Sequence, residues 1–435
     1  MKILGTSHGF HDAAVCLIED GNILYASHSE RYSGLKNDKH LHSKQIVKHD
    51  VRVSHEKVWL KNTRRLLHGQ SWIPIEKDKS FYHHQSHAAA GYYTAPFDDC
   101  NILVVDAIGE WDTVSVWDNM KKIKSWKYPY SLGLLYSAVT QRCGLKPNED
   151  EYILMGMAAY GEPRYDMSEL LYRNNHKGIG NYLPGAREED LAASVQALYE
   201  KELLKLVDKY CKKPNLILMG GCALNCTANS KIKNKNIWIM PNPGDAGSAL
   251  GAAALAYGKK LNWKEPYLGY EIKKKVNPKS IAQYIIDSHI CGIANGRSEY
   301  GPRAFGNRSL LADPRIDIKD TVNTIKRRQK FRPFAPAILE EFADEYFEGP
   351  MNEYMQFVAQ AKHDYTSVTH VDGSARVQIV KKSCSSILRP VLEEFYELTG
   401  VPMLLNTSLN IKGKPMVNDE FNVSEFQNKY KVKVF

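Results

Sequence analysis

The eight cysteines of this chain include no CxxC pair, which argues against a zinc ribbon and against a redox dithiol. Cys222 and Cys226, the nearest pair, sit among Gly, Ala, Leu and Asn and are expected to be buried free thiols. No apolar run reaches the length of a bilayer span, so no membrane contact is expected. The start, Met1-Lys2-Ile3-Leu4-Gly5, enters a strand pattern without the apolar stretch of a secretion signal, and the chain is expected in the cytoplasm. Walker and dinucleotide fingerprints are absent, as are low-complexity segments and short-period repeats.

What remains is an ordinary globular composition, 43% hydrophobic and 25% charged over 435 residues, enough for two or three domains. The net charge of +9 leans toward a polyanionic partner or substrate, with a generally basic surface as the plainer reading. Alternating strand and helix patterns imply an α/β fold. Strands are expected at 2–7, 13–18 and 22–27, the last two joined by an Asp20-Gly21 hairpin turn, and at 101–105, 113–117, 215–219 and 237–240. Helices are expected at 44–70, 131–143, 149–159, 188–211 and 246–257, with loop at 165–187. The Lys- and Pro-bearing stretch 259–277 separates a first domain, 1–268, from a second α/β unit, 278–435.

Two groups of residues carry chemistry. His83 and His87 are four apart at the start of an Ala-rich helix, so they share a face. Asp106 and Asp245 follow strand patterns, where α/β proteins place site residues. Two imidazoles and two carboxylates suit a divalent metal; a helix cap plus a packed core histidine is the alternative. Glycine turns at Asp106-Ala107-Ile108-Gly109 and Gly220-Gly221-Cys222-Ala223-Leu224-Asn225 could approach phosphate oxygens, or could simply be tight connections. His8 and His11, in a loop near the start, are candidate bases. The second group is rich in arginine: 296–309, 323–334, 370–376 and 405–410. Arginine forks and lysine bind phosphates, although 326–332 could also be a solvated basic face.

Together these motifs resemble the NodU/CmcH carbamoyltransferase family. The resemblance spans His11-Asp12-Ala13-Ala14, the His83 and His87 run, Asp106 with Gly109-Glu110, 128–133, 151–161, 220–225, 296–309, 331–336, 370–376 and 406–410. It implies an N-terminal actin/hexokinase-like domain of the tRNA-threonylcarbamoyl-transferase type and a C-terminal YrdC-like domain. It further implies an ATP-dependent O-carbamoyltransferase. Carbamoyl phosphate and ATP, with Mg2+, would give carbamoyladenylate in the second domain, and an acceptor hydroxyl would take the carbamoyl group in the first. By this resemblance His83, His87, Asp106 and Asp245 hold iron(II) or another divalent metal, and His11 is the base. Gly109, Gly220, Gly221 and Asn225 contact nucleotide. Lys326, Arg332, Arg376, Ser408 and Asn410, with Arg303 a weaker candidate, bind carbamoyl phosphate and ATP. Ile153 stands where the family has Lys, and Phe305 where it has Leu. The stretch 161–188 and the tail after Val417 are short, which predicts a more open acceptor site.

With the basic stretches 48–65, 121–127, 231–235 and 259–275, an open site points to a hydroxymethylated pyrimidine in DNA, as a modified-DNA phage would carry, in which case the compartment is a host cytoplasm. A small sugar, antibiotic or nucleotide hydroxyl is the competing acceptor, and a non-catalytic nucleotide-binding regulator the non-enzyme reading. The oligomeric state is left open, a dimer being one option.

Overall fold

The computed structural model describes residues 1–9, 12–67 and 69–435, the side chain of Arg64 excepted. The chain divides into two compact units, 1–29 with 37–264 and 30–36 with 265–435.

The first unit is built on two five-stranded sheets of one topology. In the first, β1 (Lys2–Ser7), β2 (Ala14–Glu19), β3 (Asn22–His28), β4 (Val51–Ser54) and β5 (Lys79–Ser80) lie in the order β3-β2-β1-β4-β5. The first three are antiparallel neighbours, and β4 and β5 continue parallel to β1. In the second, β6 (Asn101–Gly109), β7 (Asp112–Asp118), β8 (Lys121–Lys127), β9 (Asn215–Met219) and β10 (Asn236–Trp238) repeat that order and those directions. This duplication is the actin/hexokinase-like arrangement. The Asp20-Gly21 turn joins β2 to β3 with φ of +49° and +82°, the left-handed pair that a twisted hairpin favours.

Residues 44–70 are not one helix. A single 3-10 turn, Ser43–Gln45, precedes strand β4, and among the described residues of this stretch only Val58–Leu67 is α-helical. The short Val-Arg-Val-Ser run pairs with the buried β1, and that tertiary pairing outweighs local propensity. The stretch 165–187 holds only 3-10 turns, Ser168–Tyr172 and Asn175–Lys177.

Two helices flank the candidate site: His83–Thr94, which bears His83 and His87, and Ser248–Tyr257, which follows the turn bearing Asp245. They touch closely because Gly251 lacks a side chain: a Cβ there would sit 1.8 Å from the Ser86 carbonyl oxygen. Ala249, Ala252, Ala253 and Ala254 are buried on the same short helix. The small residues bring two backbones together and fix the spacing between the helix that bears the histidines and the turn that bears Asp245.

The second unit contains β11 (Tyr267–Ile272), β12 (Ile290–Ala294), β13 (Gly296–Glu299), β14 (Arg308–Ala312), β15 (Ala335–Leu339), the short β16 (Phe347–Glu348), β17 (Ala359–Ala361) and β18 (Ser374–Ala375), then β19 (Gln378–Val380) and β20 (Met403–Ser408). Its main sheet runs β12-β14-β20-β15-β19. Successive residues alternate between two cores: Leu310, Ala312, Ile338, Met403 and Leu405 face one, and Leu311, Ala337, Leu339 and Leu404 face the other. A sheet covered on both sides reads as a continuous apolar run, as 310–312 and 403–405 do. Unit two begins at Glu265, earlier than the spacer at 259–277 suggests, because β11 pairs with β13. The helix Pro278–Ser288 follows β11, with Asn277 as its cap. Residues 30–36 join this unit through Arg31, which donates to the carbonyls of Gly301 at 2.9 Å and Glu299 at 3.5 Å.

Candidate metal centre and phosphate site

The parallel strands of both sheets in unit one point their carboxyl ends at one place. Glu56 follows β4 and His83 follows β5; Asp106 lies near the end of β6, Gly220 follows β9, and Asp245 follows β10. The β6–β7 register shifts between Val105 and Gly109, and such an irregularity re-aims a side chain; here the residue concerned is Asp106.

His83, His87, Asp106 and Asp245 each offer one ligand atom, all within 4.8 Å of one another. His83 Nε2 lies 3.0 Å from Asp106 Oδ2, 3.3 Å from Asp245 Oδ1 and 3.0 Å from His87 Nε2. His87 Nε2 lies 3.3 Å from Asp245 Oδ1 and 3.8 Å from Asp106 Oδ2. Burial opposes charge on His83 and on both aspartates. Even so, Asp245, Asp106 and Glu56 outweigh burial and hold the His83 imidazole well above its usual pKa. Burial and their mutual repulsion would raise the two aspartates, but the histidines keep both below the usual carboxylate range. Two imidazoles and two carboxylates gathered in one buried cluster form a donor set that could hold a divalent cation. Their N2O2 chemistry fits a first-row transition ion better than all-oxygen Mg2+. On the far side of its ring, His87 Nδ1 meets Ser248 Oγ at 3.0 Å, leaving Nε2 for the centre.

The expected nucleotide contacts have other neighbours. Gly109 lies against the histidine rings, where a Cβ would be 2.3 Å from His83 Cδ2 and 2.8 Å from His84 Cδ2. Gly220, at φ +90°, clears the Val105 carbonyl and donates its N–H to Pro243 O at 2.9 Å. The Gly221 N–H faces Asp106 Oδ1 at 3.3 Å. Asn225 accepts the Ala228 N–H and exchanges two hydrogen bonds with Gln196, so its amide is taken up as a helix cap.

His11 lies outside the described residues. For His8, the other candidate base, burial first, then Arg52, lowers the pKa to about 4, and its Nε2 is 3.4 Å from Arg52 Nη2. Sequence reasoning passed over Glu56 and Ser248. Both sit one connection from a ligand, but neither has a spacing signature.

In unit two, Lys326, Ser408 and Asn410 come together. Lys326 Nζ donates to Ser408 O at 2.5 Å, to Ser408 Oγ at 3.3 Å and to Asn410 Oδ1. Burial, then the charges of Arg328, Arg332 and Lys36, push its pKa well below the ordinary lysine value. Arg332 is therefore one of this cationic group. Arg376 follows β18 and keeps a buried Nε without a hydrogen bond. Arg303 is directed elsewhere, donating to the carbonyls of Tyr354 and Met355.

The two halves of the chain match two family models, carbamoyltransferase N-terminus over 53–183 and 177–254, and carbamoyltransferase C-terminus over 282–435. An uncharacterised protein of Synechocystis is 31% identical across 95% of this chain and 92% of its own length. The nodulation protein NolNO of Sinorhizobium fredii is 30% identical across 94% of this chain and 75% of its length. An uncharacterised protein of Methanocaldococcus jannaschii is 30% identical across 96% and 95%. With both halves matched in order, and relatives of this identity along nearly the whole chain, the protein belongs to the NodU/CmcH family of carbamoyltransferases and is an enzyme of that class.

Proposed function

We propose that the enzyme carries out ATP-dependent O-carbamoylation in two stages. Carbamoyl phosphate is first hydrolysed to carbamate and phosphate. Carbamate oxygen then attacks the α-phosphorus of ATP, releasing pyrophosphate and giving carbamoyladenylate. An acceptor alcohol finally attacks the carbamoyl carbon, and AMP leaves. The first stage is assigned to unit two. There Lys326 and Arg332 supply positive charge for phosphate oxygens, Ser408 and Asn410 orient the ammonium, and Arg376 offers a further donor. Arg303 is left out of that group, since backbone carbonyls occupy its guanidinium.

The second stage is assigned to unit one. A divalent metal such as iron(II), held by His83, His87, Asp106 and Asp245, would supply Lewis acidity toward the carbamoyl carbonyl. The Gly221 N–H donates to Asp106 Oδ1 and so helps to orient that carboxylate. His11 is assigned as the base toward the hydroxyl by the resemblance of His11-Asp12-Ala13-Ala14 to the family motif. The observation that carries this reading is the convergence of four ligand atoms, from three separate parts of the chain, in a family of carbamoyltransferases.

A small-molecule alcohol is favoured over DNA as acceptor. Lys235 donates to the carbonyls of Cys211 and Lys213, and Lys260 to those of Tyr92, Ala95 and Phe97. Lys122 pairs with Asp112 at 2.9 Å. Cations used inside the fold do not form a continuous track for a backbone.

The enzyme incubated with ATP, carbamoyl phosphate and iron(II) should release pyrophosphate and AMP and add one carbamoyl mass to an alcohol. Absence of both nucleotide products would overturn the scheme. Salt-sensitive binding to duplex DNA at low ionic strength would restore the nucleic-acid acceptor.

A further inference from the structure

Glu56 takes no part in the four-residue cluster, yet it is fully buried directly behind it. Its Oε2 lies 2.8 Å from Lys61 Nζ and 3.6 Å from His83 Nδ1. Both His83 Nδ1 and Glu56 Oε1 are buried without a hydrogen-bond partner. The other close neighbour, His55, has its Nε2 3.8 Å from Oε1, beyond hydrogen-bond reach, against 2.8 Å for Lys61. Lys61 is thus the cation that balances the carboxylate, and His83 Nδ1 is a donor-capable atom facing it with nothing else to bind.

We propose that Glu56 is the positioning residue for the metal ligand His83, accepting its Nδ1–H while Lys61 balances the charge; the inference rests on the metal reading above. For Nε2 to offer a lone pair to a metal, the proton of neutral His83 must be on Nδ1. A carboxylate facing Nδ1 selects that tautomer, fixes the ring and makes Nε2 more basic. A closure of roughly 0.5 Å turns the present gap into a hydrogen bond. The two imidazoles are then supported unequally, His87 by the neutral hydroxyl of Ser248 and His83 by an anion. His83 becomes the stronger electron donor of the pair.

The test uses the full-length enzyme and Co(II) as probe, titrated against a chelator, with metal stoichiometry by mass spectrometry and the visible d–d spectrum recorded. Glu56→Gln should bind Co(II) about 10–100-fold more weakly and with a shifted spectrum. Glu56→Asp, which keeps the charge beside Lys61 but withdraws it from Nδ1, should lose less. Circular dichroism melts establish that each variant is folded, and the Asp variant decides the matter should the Gln variant not fold. Wild-type Co(II) affinity and spectrum in a folded variant would overturn the role of Glu56 while leaving the metal centre standing. A wild-type enzyme that takes up no metal would overturn both.

Discussion

Lys326 sets its buried ammonium against three other cations, Arg328, Arg332 and Lys36, with three oxygens to receive its protons. Its pKa is lowered, so between that value and the ordinary lysine range the unfolded chain holds the extra proton and stability rises with pH. Anion binding has the opposite sign. An arriving phosphate favours charged Lys326, so carbamoyl phosphate should bind with proton uptake and weaken as pH rises through the lowered pKa. Calorimetry in buffers of different ionisation enthalpy measures that uptake, and Lys326→Met should abolish it. At the proposed metal centre, Asp245→Asn removes one of the four proposed ligands. Transfer to the acceptor should slow about a hundredfold or more, the loss of several kcal/mol of Lewis-acid stabilisation, read by product mass spectrometry. Gly109→Ala drives a methyl into the His83 ring. About 1–3 kcal/mol of stability should go with it, together with metal affinity, in a thermal melt and a metal titration.

Among the elements, those with a local signature were legible: the Asp-Gly hairpin, the Ala-rich helix with His83 and His87, and the Ala/Gly helix before the spacer. Each announces itself within about ten residues, as short-range pattern reading requires. Strand β4 does not, because four residues among lysines and histidines become a strand only by pairing with β1. Strand β8 looked like a patch of cations, yet it is the edge strand beside β7, and lysine is a common occupant of exposed edges. The same contrast governs the site. His83, His87, Asp106 and Asp245 have helix spacing or a strand end to mark them, whereas Glu56 acquires its role only when β4 is laid beside β1. One element gives a clean stability test. Asn277 Oδ1 caps the helix Pro278–Ser288 through the N–H groups of Lys279 at 2.9 Å and Ser280 at 3.3 Å. Asn277→Ala should cost about 1 kcal/mol, measured by chemical denaturation of the enzyme.

For the molecule as a whole, the duplicated sheet is the feature that the sequence concealed most completely. The crossover from β3 to β4 occupies residues 29–50, whereas the one from β8 to β9 occupies 128–214 and holds several helices. An insertion of that size destroys any fixed period. Folding restores the equivalence, and with it the reason five strand ends converge on one place. The assignment of residues 30–36 to the second unit was equally hidden, since nothing in the composition of that stretch separates it from its neighbours. A polypeptide beginning at Glu265 should consequently melt at a lower temperature than the same polypeptide supplied with a peptide of residues 30–36. Calorimetry of the two samples checks it.

The chain changes unit after Ser29, after Lys36 and again after Lys264. No single recombination point can then separate the two halves of the gene as complete modules. Exchanging either half between relatives also exchanges, or mismatches, the strap that carries Arg31, so the halves are constrained to diverge as a pair.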